Sequence, residues 1–145
     1  MRLHGEAATA ALGEMLAGEA RAGDVITLSG PLGVGKTALA RGFIAALGHE
    51  GEVPSPSFAI VQPYEELAFP VWHVDLYRIE DPGELEELAL GEGRDEAALL
   101  IEWPERLGEA LWADALRLSL GRAPDGGRAL TAEVPPAWGG RWPPR

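Results

Sequence analysis

The segment Gly30-Pro31-Leu32-Gly33-Val34-Gly35-Lys36-Thr37 leaves this chain few folds to choose from. It matches G-x-x-x-x-G-K-[ST] in full, and its flanks match as well. Before it stands Asp24-Val25-Ile26-Thr27-Leu28-Ser29, a short β-branched run suited to a buried strand. After it, Leu39, Ala40, Phe43, Ile44 and Leu47 follow helical spacing up to Gly48, a natural stop. Strand, glycine-rich turn and helix together predict a phosphate loop. Gly30 lets the strand turn sharply, and Gly33 and Gly35 open backbone angles closed to other residues. Val34, Gly35 and Ala38 then present backbone N–H groups to phosphate oxygens, helped by the positive end of the helix. Lys36 is expected to reach the β- and γ-phosphates, and the Thr37 hydroxyl to bind Mg²⁺. The expected ligand is a nucleoside triphosphate, most simply ATP.

Composition sharpens that expectation at one point. Lys36 is the only lysine, so 11 of the 12 Lys and Arg residues are Arg. A compact ammonium and a planar guanidinium are not interchangeable, which makes a single retained lysine read as a chemical requirement. It also disfavours a GTPase, whose guanine-reading Asn-Lys-x-Asp would need a second lysine. The formal net charge is −11, with no cluster of bases of the kind that grips a nucleic-acid backbone. Contact with RNA is therefore expected to be indirect at most. No apolar run reaches the length of a membrane span, cysteine is absent, and the N-terminus lacks the plan of a secretory signal. These features predict a cytoplasmic protein.

The 145 residues suffice for one domain, expected over residues 1–134, with a loosely ordered Pro/Gly-rich tail over 135–145. Ala8, Leu12 and Leu16 make a weak helical stripe. Phe58 to Val61, Phe69 to Asp75 and Ala97 to Ile101 read as strands, and Asp81-Pro82 opens a helix running to about Gly91. Leu116, Leu118 and Leu120, then Leu130, Ala132 and Val134, alternate around Asp125-Gly126-Gly127, as in a terminal hairpin. The expected class is α/β: a central, mostly parallel sheet flanked by helices, with an antiparallel extension.

Ligands of open α/β sheets sit at the carboxyl ends of strands. Two predicted strands end there in an acid, Asp75 and Glu102. One would hold Mg²⁺ and the other orient the attacking water, and the residues alone leave both assignments open. Ser55 and Ser57 lie where nucleotide hydrolases keep a loop that senses the γ-phosphate, though a turn with capping hydroxyls reads equally well. His73 reads as a buried neutral histidine, and Trp72 and Trp103 as core.

Gly33-Val34-Gly35-Lys36-Thr37, Ser55-Pro56-Ser57-Phe58, His73-Val74-Asp75-Leu76-Tyr77-Arg78, Asp81-Pro82-Gly83-Glu84-Leu85 and Ile101-Glu102-Trp103-Pro104 follow one another in an order that resembles the TsaE (YjeE) family of small bacterial ATPases. The likeness spans about Thr9 to Arg128. It implies a role in making the threonylcarbamoyl modification on adenosine 37 of tRNAs that read codons starting with A. It also implies ATP hydrolysis that supports a partner pair, TsaB and the transferase TsaD. Carried onto matching positions, Gly30 to Ala38 hold the phosphates, Thr37 and Glu102 serve Mg²⁺, and Asp75 is the strand-end acid near the ion. Thr9 and Arg128 match positions that flank the nucleotide. Two residues depart from the family pattern: Pro31 stands where Asp is common, and Ser57 where Thr is common. A small-molecule kinase, with Arg122 and Arg128 covering the transferred phosphate, and a nucleotide-gated adaptor with little turnover are the alternative readings.

Overall fold

Period-2 alternation builds the sheet. In a computed structural model, which describes residues 1–31, 33–54 and 60–144, seven strands form one sheet. They are β1 (Arg2–Leu3), β2 (Val25–Ser29), β3 (Val61–Tyr64), β4 (Val71–Asp75), β5 (Ala98–Glu102), β6 (Leu116–Arg122) and β7 (Arg128–Glu133), in the spatial order β1-β7-β6-β2-β5-β4-β3. The four central strands are parallel, and both edges are antiparallel. Ile26, Leu28, Ala98 and Leu100 point into one apolar cluster, and Val25, Leu99 and Ile101 into another on the opposite face. The expected α/β class with an antiparallel extension is what is found.

Two long helices cover the first face: α1 (Gly5–Glu19) and α2 (Lys36–Ala46). They approach closely because small residues meet. A Cβ on Gly13 would lie 2.1 Å from the Leu39 carbonyl oxygen, and one on Gly42 would lie 2.1 Å from that of Ala10. This contact brings Thr9 of α1 beside Gly35 at the tip of α2. The second face carries the short helices α3 (Pro82–Glu87) and α4 (Leu90–Arg94) and a 3₁₀ segment, Pro104–Ala110. Among the described residues no helix is long and apolar enough to cross a membrane.

Three expectations change, and the strand order adds a fourth point. Of the strand expected at Phe58–Val61, Phe58 and Ala59 lie outside the described residues, and β3 runs on from Val61 through Pro63 to Tyr64. A proline is accommodated there because β3 is the edge of the sheet. The helix opened by Asp81, whose Oδ1 accepts the Gly83 N–H at 2.9 Å, breaks at Ala89 into α3 and α4. Ala89 takes a left-handed backbone, φ 52°, which ends a helical run. The strand ending in Asp75 does not touch β2, because β5 lies between them. Finally, residues 135–144 are not a loose tail. Trp138 is fully buried in the cluster that holds Leu16 and Ala17, and Arg141 pairs with Asp24 through bonds of 2.6 and 2.9 Å. Large aromatic burial and a two-pronged ion pair outweigh the disordering tendency of Pro and Gly.

Candidate functional site

At the carboxyl ends of β2, β4 and β5 the glycine loop, both helices and the β6–β7 hairpin enclose a cleft of about 500 Å³. The loop reaches it through backbone only glycine adopts easily: φ is 142° at Gly30, 76° at Gly33 and 113° at Gly35. A side chain on Gly30 would also strike the Leu120 carbonyl, 2.3 Å from its Cβ. Gly35 is the residue before α2, so the first-turn N–H groups of that helix open towards the cleft.

Lys36 is almost wholly buried, at 4% exposure. Its Nζ donates to the Gly30 carbonyl at 2.7 Å and lies 3.7 Å from the centroid of the Trp103 ring. Burial pulls the ammonium below its ordinary value, while the carboxylates of Glu102, Glu105 and Asp75 draw it back up. One carbonyl and one aromatic face use only part of its three-donor capacity. An anion with several oxygens can take the rest.

Asp75 and Glu102 stand opposite each other in the β4–β5 ladder. Asp75 accepts the Tyr77 N–H on Oδ1 at 2.9 Å. Burial pushes its carboxyl above the ordinary range, the Tyr77 bond pulls it down, and the Glu102 carboxylate adds an upward push that Lys36 opposes. Glu102 Oε2 lies 2.7 Å from Nε2 of His73, which is fully buried. With the Thr37 hydroxyl, these two carboxylates make an oxygen donor set of the kind hard divalent cations use. Among the described residues no group of three or more His, Asp and Glu side chains is placed to hold an ion alone. An ion here would depend on oxygen atoms brought in with a ligand.

Thr9, Gly33, Val34, Gly35, Lys36, Thr37, Ala38, Asp75, Glu102 and Arg128 all line this one cleft. Gly30 lies beneath it as the acceptor for Lys36. Ser57 lies outside the described residues. Arg128 is tied to the loop, its Nε donating to the Val34 carbonyl at 2.8 Å and its Nη1 to that of Gly126 at 3.2 Å. Thr9 Oγ1 donates to the Gly5 carbonyl at 3.2 Å.

Sequence reasoning missed three contributors. Trp103, expected in the core, covers Lys36 with a left-handed backbone, φ 60°. Tyr77 packs at a tilt against Trp103, with centroids 4.9 Å apart and planes at 49°, and Arg41 lines the same cleft from α2. The signal available for Trp103 and Tyr77 was proximity: each lies within two residues of a strand-end acid.

With this geometry in view, similarity to known proteins is informative. The family described as "Threonylcarbamoyl adenosine biosynthesis protein TsaE" matches residues 3–130. A Bacillus subtilis protein named tRNA threonylcarbamoyladenosine biosynthesis protein TsaE is 39% identical over 126 residues, covering 85% of this chain and 77% of its own. A Streptomyces coelicolor protein of the same name is 43% identical over 115 residues, with 77% and 78% covered. A crystal structure of Bacillus subtilis YdiB superposes with a TM-score of 0.76 at 31% identity, covering 91% of this chain and 82% of that one. The chain belongs to the TsaE family of threonylcarbamoyl adenosine biosynthesis proteins.

Proposed function

We propose that this cleft binds ATP with Mg²⁺, and that the chain hydrolyses it in the cytoplasm to support tRNA threonylcarbamoyladenosine formation by a TsaB–TsaD-type transferase pair. The observation that carries this reading is the buried, under-satisfied Lys36 ammonium at the tip of α2, facing Asp75 and Glu102 across one cleft. Loop amides and the α2 N-terminus bind the phosphates, and Lys36 exchanges the Gly30 carbonyl and the Trp103 face for phosphate oxygens. Thr37 and Glu102 would hold the ion, and Asp75 would orient the attacking water. When bound, Mg²⁺ neutralises charge building on the phosphate oxygens. The net charge of −11 suits a protein that works beside a tRNA-binding partner without gripping tRNA itself.

A small-molecule kinase has less support, because Arg128 is anchored to loop carbonyls and is not free to close over an acceptor. A nucleotide-gated adaptor uses the same site without turnover. Reconstituted tRNA modification separates these readings. With purified transferase partners, repeated turnover is expected to require this chain and hydrolysable ATP. Equal support from a non-hydrolysable analogue would favour the adaptor, and no dependence on the chain would defeat the proposal.

A further inference from the structure

We infer that His73 is a positioning residue that aims the Glu102 carboxylate into the cleft, an inference that rests on the nucleotide and cation reading above. His73 sits mid-strand in β4, opposite Gln62 on β3 and Leu100 on β5, with no exposure to solvent. For packing alone it is a poor choice. Its Nδ1 is buried with no hydrogen-bond partner among the described residues, a cost that valine or leucine would avoid. Its other nitrogen makes, among the described residues, one bond, the 2.7 Å contact to Glu102 Oε2.

The two nitrogens together specify the chemistry. A proton on Nδ1 would leave a donor buried without an acceptor among the described residues. The tautomer that fits carries its proton on Nε2 and donates to Oε2, leaving the Nδ1 lone pair bare. His73 therefore acts as a neutral donor. It fixes one carboxylate oxygen and leaves the other, with the negative charge intact, for the cleft. A lysine or arginine at this place would hold Glu102 as firmly but cancel the charge a divalent cation needs. Outer hydrogen bonds of this kind orient ion-binding groups, and their loss typically weakens ion affinity about 10–100-fold. Asp75 is held differently, by the Tyr77 backbone N–H.

Two amide variants test this with matched burial. In His73→Gln the carboxamide nitrogen reaches the place of Nε2, whereas in His73→Asn it stops near Nδ1. Affinity for a non-hydrolysable ATP analogue is measured by calorimetry in EDTA and again with Mg²⁺, alongside the thermal midpoint. Affinity in EDTA is expected to match wild type in both variants. The gain produced by Mg²⁺ should survive in His73→Gln and fall about 10-fold in His73→Asn. A full Mg²⁺ gain in His73→Asn, or equal losses in both, would overturn the inference. Should the Asn variant fail to fold, a lost gain in the Gln variant alone overturns it. Absence of binding by wild type in either buffer would instead defeat the underlying nucleotide reading, and this inference with it.

Discussion

The two ends of β2 carry charge in opposite conditions. At the amino end, Asp24 accepts two bonds from Arg141 and a third from the Arg21 N–H at 2.8 Å. The Arg141 guanidinium also lies 3.8 Å from the Trp138 ring centroid and donates to the Glu19 carbonyl at 3.0 Å. Both Asp24 carboxylate oxygens and both terminal Arg141 nitrogens are paired within that cluster, while Arg141 Nε and Trp138 Nε1 have no partner among the described residues. At the carboxyl end, Lys36, Asp75 and Glu102 are buried more deeply yet share no direct ion pair among the described residues, and they face a cleft. Charge satisfied internally holds a fold together. Charge desolvated with capacity to spare is available to a ligand, at some cost to the unliganded state.

Substitutions that separate stability from binding would break or sharpen this contrast. The largest stability effect is expected from Trp138→Ala, which empties a fully buried aromatic site. It should lower unfolding free energy by about 3–5 kcal/mol in a denaturant titration while nucleotide affinity of the folded fraction holds. Lys36→Ala should do the reverse. ATP affinity by calorimetry is expected to fall about 100-fold, roughly 2.7 kcal/mol, with the thermal midpoint unchanged or raised, because a desolvated ammonium is removed. Arg141→Ala should cost about 2 kcal/mol of stability, less than a fully enclosed ion pair because both partners are partly exposed, and leave ATP affinity at the wild-type value. A fall in affinity there would mean that the two ends are coupled through α1.

The smallest effect lies away from both ends. His49 meets Glu66 at 3.1 Å and the Glu52 carbonyl at 3.0 Å, and its imidazole is raised above its ordinary value, first by the Glu66 bond and then by the Glu52 bond. A raised folded value means stability fully present below about pH 6.5 and lost as pH climbs through the folded value. The midpoint difference between wild type and His49→Gln should therefore be larger at about pH 5.5 than at about pH 8.5. A difference that is flat or grows with pH would remove this contact from the stability account.

How far the chain could be read in advance depended on how local each signal was. The glycine loop, its strand, its helix and the β6–β7 hairpin are written in contiguous residues, and all were legible. Asp75 and Glu102 could be named as strand ends but not paired, because their meeting depends on β4 lying beside β5 and not beside β2. His73 could be placed in a strand, yet its bond to Glu102 crosses 29 positions of chain. Trp103 looked like core because nothing local shows that its backbone turns left-handed over Lys36. The last ten described residues misled by composition: Pro and Gly predict looseness, and only the surroundings of Trp138 and Arg141 reverse it.

The amino-acid sequence by itself determined that a glycine loop would close a buried strand onto a helix with one lysine at its tip, since neighbours along the chain supply every part of that motif. Tertiary structure alone decided which carboxylates face that lysine, which histidine steers one of them, and that the C-terminal segment would clamp the far end of the same strand. Those outcomes turn on strand order and on burial against distant partners, and residues far apart in sequence do not announce such contacts locally.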